Sequence, residues 1–415
     1  MKKILIVLLL ASSFIAGCRK ADEREAAASD SFVRVSGHDL ITPDGHKLLI
    51  RGTNLGNWLN PEGYMFHFQR TNSAGRINQA FSEMVGPDFV AEFWKKYKDN
   101  YVTKSDIDFL SKIGCNTIRL PFHYKLFTDE DYMGLYAAQD GFARIDSLVG
   151  WCRDAGLFLI LDMHDAPGGQ TGDNIDDSYG YPWLFESETS QQKFIDIWVK
   201  IADYYSNEPV ILGYELMNEP IAPYFNTDSL NLLLEPLYRR TLAEIRKVDP
   251  NHIVLFGAPQ WNSNFKPLST DASFDEQVIY TCHRYGGEAT AEAIRSYIEF
   301  RDKSNRPMYM GEIGHNTNEW MSAFRQAMEE NNIGWTFWPY KKMGGSSFIT
   351  VKDPDNWDAV VAYVESPRGT YREMRETRPD QKTMRQALLD MAENSRFENC
   401  IHNTDYINAL GFEIK

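Results

Sequence analysis

Positive charge is what this chain has too little of: 43 Lys and Arg stand against 58 Asp and Glu, for a formal charge of −15. A surface of that sign repels phosphate backbones, which excludes nucleic acid as a partner and leaves neutral polymers open. Cysteine is scarce as well. Apart from Cys18, only Cys115, Cys152, Cys282 and Cys400 occur, and none has the paired spacing of a metal module. Cys115 and Cys282 fall at or within apolar strands and Cys152 within a helical stretch, so buried free thiols are expected and neither metal nor cofactor is implied. After residue 31 there is no internal repeat, no low-complexity block and no Gly/Ser-rich linker, and no run there approaches membrane-spanning length. One domain over 32–415 is therefore expected, with enough apolar residues, 43% of the 415, to bury a large core.

The first residues are the exception. Lys2 and Lys3 precede an apolar run from Ile4 to Ile15, followed by Ala16-Gly17-Cys18, the layout of an export signal. That ending resembles the lipobox of bacterial lipoproteins. The resemblance implies a signal peptide over 1–17, lipid modification of Cys18, and anchoring to the bacterial envelope at the outer membrane or cell surface. An uncleaved membrane helix is the competing reading, but the run is short for one and carries charge on both sides. Residues 18–31, charged, Ala-rich and aperiodic, read as a flexible tether, so the membrane is met through the lipid alone.

From Phe32 the pattern is strand, turn, strand. Pro43-Asp44-Gly45 supplies the turn of an N-terminal hairpin, expected to plug one end of the domain. Eight apolar stretches come next, at 48–55, 116–120, 157–163, 210–217, 252–256, 278–282, 308–310 and 333–338, and most are separated by amphipathic helical stretches. Buried strands alternating with helices imply parallel crossovers, and eight of them close a (β/α)8 TIM barrel. A long aromatic-rich insertion, 60–100, interrupts the series after the first strand, with an amphipathic helix expected over 89–97. The end reads as a helix over 374–391 and a short tail.

In such a barrel the C-terminal strand ends share one face. Here they supply Asn54, Asn57, Arg119, Asp162, His164, Asn218, Glu219, Gln260, Trp261, His283, Tyr285, Glu312 and Trp338. Pro220 cannot donate to a ladder, so pairing stops there and Glu219 is expected to face a cleft; capping of the next helix is the alternative. A second apolar strand ends at Glu312. Two carboxyls flanking one gap are what glycoside hydrolysis requires, one protonated to release the leaving oxygen and one ionised to attack the anomeric carbon.

The segments Ile118-Arg119-Leu120-Pro121, Asp162-Met163-His164, Leu216-Met217-Asn218-Glu219-Pro220, His283-Arg284-Tyr285, Gly311-Glu312 and Trp335-Thr336-Phe337-Trp338 resemble, in order, the strand-end signatures of glycoside hydrolase family 5, the cellulase family. The resemblance implies a retaining glycosidase. Glu219 would be the general acid and then base, and Glu312 the nucleophile, kept ionised by Arg119 and Tyr285. Asn218 would meet the sugar 2-hydroxyl, His164 and His283 would hold hydroxyls or Glu219, and Trp338 would floor the sugar site. Retention requires carboxyls about 5–5.5 Å apart.

The loop Asp165-Ala166-Pro167-Gly168-Gly169-Gln170-Thr171 after His164 resembles that of the family's exo-β-1,3-glucanase branch, which points to a β-glucan, with β-mannan or another hemicellulose next. A phosphate-cradling loop would need a lysine that is missing here. A metal-dependent hydrolase would need more ligands than His164 and His283. A lipid-tethered glycan-binding protein without catalysis is the alternative of another class. A monomer is expected.

Overall fold

The computed structural model describes residues 31–173 and 175–414. The signal segment, Cys18 and the tether up to residue 30 lie outside the described residues. Eight strands form a closed barrel: β1 (Arg51–Asn54), β2 (Thr117–His123), β3 (Phe158–Asp165), β4 (Ile211–Glu215), β5 (Ile253–Gly257), β6 (Val278–His283), β7 (Met308–Gly314) and β8 (Gly334–Trp338). Each pairs in parallel with its sequence neighbours and β8 closes on β1, the α/β architecture of a TIM barrel. Apart from the outer edges of β1 and β3 the strand residues are buried, which explains why they read as continuous apolar runs and not as alternating ones.

The N-terminal hairpin closes the floor. Arg34–Ser36 and Asp39–Ile41 pair antiparallel, and Lys47–Leu48 adds a third short strand. Val33 and Leu40 pack among Ile50, Leu212, Ile253, Ile279 and Tyr309, residues near the starts of the barrel strands. The backbone of Val35 also donates to Gln277 and the Asn332 amide to Asp39, both ahead of a barrel strand. The stretch expected as one strand over 48–55 is thus divided. Its first residues belong to the plug, and the chain turns into the barrel wall at Arg51.

Two other expectations change. The 60–100 insertion is helical over most of its length, in Ala74–Val85 and Pro87–Tyr101. Ile77, Phe81 and Met84 on one helix and Val90, Phe93, Trp94 and Tyr97 on the other recur at helical spacing and are buried, with the rings of Phe81 and Trp94 against Phe68, Phe66 and each other. The helix expected over 374–391 is two helices, Tyr371–Thr377 and Gln381–Asn394, because Pro379 cannot continue the ladder and forces Arg378 into an extended conformation. Nor is the end a bare tail. Ile401–His402 pairs with Ile349–Val351, and Tyr406 and Phe412 pack on Phe337 and Trp335 of β8. Of the described cysteines, Cys115, Cys152 and Cys282 are buried free thiols, whereas Cys400 is half-buried.

If Leu40 is a keystone of the floor, truncating it to alanine removes apolar contact that a small hairpin cannot close over. Leu40→Ala is expected to lower unfolding free energy by about 2–4 kcal/mol, read from urea midpoints at unchanged m.

Candidate active site

Arg119 points from the middle of β2 into the barrel and has no exposure to solvent. Its guanidinium donates from Nε and Nη2 to the two oxygens of Glu215 at 2.7 and 2.8 Å. Nη1 donates to Asn54 Oδ1 at 3.0 Å and to Glu312 Oε1 at 2.7 Å. Nη2 also reaches Asn218 Oδ1 and Asp162 Oδ2, each at 3.0 Å. One cation therefore holds three carboxylates and two amides in fixed geometry.

Glu312 sits on a distorted part of β7. Its pairing with β6 and with β8 shifts register around Gly311 and Glu312, a bulge that turns the carboxylate toward the cleft. Gly311 permits this approach, since a Cβ there would lie 2.6 Å from Thr281 Oγ1 and 2.9 Å from His283 Nε2. Burial alone would raise the Glu312 pKa, but His283, Arg119, His164 and the Tyr285 hydroxyl, which donates to Oε2, together bring it down to about 2.

Glu219 leaves the end of β4 with a left-handed backbone, φ 42°. Its carbonyl accepts from Thr171 Oγ1 at 2.7 Å, and the buried Gln170 amide donates to the carbonyls of His164 and Asn218 at 2.7 and 3.0 Å. The loop after β3 is thereby tied to the loop after β4. His283 Nδ1 lies 2.9 Å from Glu219 Oε1 and 3.4 Å from Glu312 Oε2. One oxygen of each glutamate and a nitrogen of His283 all fall within 4.8 Å of one another.

His164 Nδ1 is 2.7 Å from Asp162 Oδ2, and Nε2 is 3.2 Å from Asn218 Nδ2 and 3.6 Å from Glu62 Oε1. Burial works against its charged form, yet Asp162 and Glu62 raise its pKa to about 10. The ring stacks on Trp338, centroids 5.2 Å apart and planes 2° from parallel. Trp338 lies over Gly56, where a Cβ would come within 2.8 Å of the indole, and donates from Nε1 to Tyr64 Oη at 2.7 Å.

These groups border a cleft of about 380 Å³ lined in part by Glu62, Tyr64, Glu219, Glu312, His315 and Trp338. A second hollow of about 460 Å³ adjoins it, sharing Ile175, Glu219 and Tyr285 and adding Gln260, Trp261 and His283. Of the residues expected at the site, Glu219, Glu312, His164, His283, Tyr285 and Trp338 border one hollow or the other. Arg119 and Asn218 lie a layer deeper. The Asn218 Nδ2, which carries two hydrogens, lies 3.2 Å from His164 Nε2. Asn54 supports Arg119, and Asn57 accepts from the backbone of Glu62.

Sequence reading passed over Glu215, Glu62, Tyr64, Gln170, Asn262 and His315. Glu215 had a usable signal: a carboxylate inside an apolar strand requires a buried cation. Asn262 lies 3.1 Å from His283 Nε2 and is brought there by three successive left-handed residues, Gln260, Trp261 and Asn262, at φ 54°, 57° and 57°. Each such residue costs about 1–2 kcal/mol, and Gln260 is held by paired side-chain bonds to Asn231 at 2.9 and 3.3 Å.

A family model described as cellulase (glycosyl hydrolase family 5) matches residues 76–344. The chain is a family 5 glycoside hydrolase. This family 5 enzyme is 29% identical over 358 residues to a β-xylosidase of Phanerodontia chrysosporium, covering 77% of this chain and 73% of that protein. It is 27% identical over 311 residues to endoglucanase C of Acetivibrio thermocellus, covering 60% and 87%. Among solved structures, a β-glucanase from Saccharophagus degradans superposes at a TM-score of 0.52 with 19% identity, over 87% of this chain and 94% of that one, a likeness of fold. As a member of its family the enzyme is an O-glycosyl hydrolase acting on β-linked glycans.

The depressed pKa of Glu312 has a consequence for acid stability. Folded, the carboxyl titrates near 2, below its ordinary 4.5, so its ionised form favours the folded state above the ordinary value and that contribution is lost as pH falls toward 2. Urea midpoints of Glu312→Gln are therefore expected to fall less steeply than those of the parent between those two pH values.

Proposed function

We propose that this enzyme hydrolyses a β-glucan by double displacement with retention of anomeric configuration. The carrying observation is the pair of glutamates, remote in sequence, with carboxylate oxygens within 4.8 Å of each other across the cleft. Such proximity supports a nucleophile and an acid/base, in keeping with the roughly 5–5.5 Å of a retaining pair more than the roughly 6.5–9.5 Å of an inverting one. Glu312, ionised and clamped by Arg119 and Tyr285, attacks the anomeric carbon while Glu219 gives its proton to the departing oxygen. Water then attacks the glycosyl ester, returns a proton to Glu219 and frees the Glu312 carboxylate. Glu62 accepts from sugar hydroxyls, Trp338 carries the sugar's CH face, and Asn218 offers its amide to the 2-hydroxyl.

The β-glucan reading draws support from the loop after His164 and from the name of the endoglucanase relative. A β-xyloside is the second reading, on the strength of the β-xylosidase relative. A screen of β-1,3-, β-1,4- and β-1,6-glucans, mannan and xylo-oligosaccharides with product sizing decides between them, and NMR of the first product anomer tests retention. A first product of α configuration rules the double displacement out. Glu219→Gln is expected to lower kcat by about 10²–10⁴-fold, and Glu312→Ala to abolish turnover; wild-type rates in either variant remove the assigned roles.

The lipobox-like ending supports a further part of the reading, export and anchoring of the enzyme at the bacterial envelope through Cys18. Labelled palmitate is expected in the full chain expressed in a bacterial host and absent from Cys18→Ala. Equal labelling of the two refutes the anchor.

A further inference from the structure

The catalytic steps make no use of the acidic side chains at the end of β3 and in the loop after it. Two of these share one partner: His123 Nε2 lies 3.2 Å from Asp165 Oδ2 and 3.1 Å from Asp177 Oδ2. Asp176 is different. It is 2% exposed and, among the described residues, is paired with no cation. Its partners are backbone amides. Thr171 N donates to Oδ2 at 2.7 Å, Gly172 N to the same oxygen at 3.2 Å, and Ser178 N to Oδ1 at 3.3 Å. The loop is wound closely around this carboxyl, since a Cβ on Gly169, itself at φ 78°, would come 3.0 Å from Oδ2. Burial, and then the charge of Asp165, push its pKa up to about 7 against the pull of those amides. A group so costly to bury has to be explained by the geometry it imposes.

That geometry belongs to the neighbouring turn. After β4 the backbone is strained twice, with Glu219 at φ 42° and the β-branched Ile221 at φ 56°. Such conformations persist only where their surroundings over-determine them. Here the surroundings are Gln170 and Thr171. Ile221 N donates to Gln170 O at 2.9 Å and Ala222 N to Thr171 O at 3.1 Å. The Gln170 amide and Thr171 Oγ1 hold the carbonyls of Asn218 and Glu219. Thr171 thus gives its hydroxyl and its carbonyl to the turn, and its own N–H to Asp176. Asp176 lines neither hollow of the cleft.

We propose that Asp176 is a positioning residue for Glu219: its carboxyl fixes the Thr171–Gly172 backbone, and through it the left-handed turn that aims the acid/base at the departing oxygen. The proposal rests on the role given to Glu219 above.

Leaving groups separate aim from mere stability. A 2,4-dinitrophenolate departs without a proton, whereas a sugar alkoxide needs one. kcat/KM, which reports the first displacement, is therefore measured in the full chain on the 2,4-dinitrophenyl β-glycoside and on an oligosaccharide of the same donor sugar. That sugar is glucose or xylose, whichever the parent hydrolyses faster. In Glu219→Gln the oligosaccharide value is expected to fall about 10²–10⁴-fold while the dinitrophenyl value stays within about threefold. Asp176→Ala is expected to show the same selective loss, about 10²-fold on the oligosaccharide, the effect of a catalytic group displaced by about 1 Å. Asp176→Asn, whose Oδ1 still accepts from Thr171 and Gly172, returns most of it. Thr171→Val, which cuts only the hydroxyl link, repeats the selective loss, and Thr171→Ser does not.

Equal losses on the two substrates in Asp176→Ala, or no loss, overturn the positioning role while Glu219→Gln keeps its selectivity. Should Asp176→Ala not fold, equal losses in Thr171→Val overturn it in the same way, because Thr171 is the route from Asp176 to Glu219. A Glu219→Gln that loses both activities equally removes the acid/base reading itself, and the proposal falls with it.

Discussion

One guanidinium, sealed from water, sets the terms for everything at the mouth of this barrel. An unpaired buried cation is worth several kcal/mol of destabilisation, and the chain answers with groups from separate strands: Asn54 from β1, Asp162 from β3, Glu215 from β4 and Glu312 from β7, with Asn218 just past the end of β4. Shifting any of these strands by one residue would turn its partner away from Arg119. The charge therefore enforces barrel register as well as serving chemistry. Three carboxylates around one cation leave an excess of negative charge, and His164, held protonated beside Asp162, is placed to offset part of it.

The two cleft glutamates inherit unequal surroundings from this arrangement. Glu312 is enclosed by a guanidinium, a phenol and an imidazole, and stays ionised although buried. Glu219 stands at the rim, where its carboxylate meets the His283 imidazole and faces both hollows. Its position depends on backbone, through the left-handed turn after β4 and the Thr171 and Gln170 bonds that stitch two loops together. The proposed division of labour follows from that inequality: the group ionised in the free enzyme is immobilised, and the group that must exchange a proton with substrate and water is accessible.

Much of this was legible from residue order alone. Continuous apolar runs ending in polar residues revealed the eight strands and the shared rim, because barrel strands are buried on both sides and break off where the cleft opens. The plug was visible through its Pro-Asp-Gly turn. What escaped was long-range or masked by local pattern. Glu215 was hidden in an apolar run, and its meaning depends on an arginine 96 positions earlier. Glu62 and Tyr64 belong to an insertion whose packing on β8 has no sequence period. The segment after Gln381–Asn394 carries too few residues to announce a strand and a helix, yet Ile407 and Phe412 are buried against the barrel wall. Pro379 was the readable signal that the expected single helix should be two.

The plug also gives the molecule a direction. Val33 and Leu40 seal the end of the barrel opposite the glutamates, so the polypeptide enters at the base. The described chain therefore begins on the far side of the barrel from the substrate entrance. An immobilising surface joined directly at residue 31 would leave the opening unobstructed, facing the medium in which long carbohydrate chains diffuse.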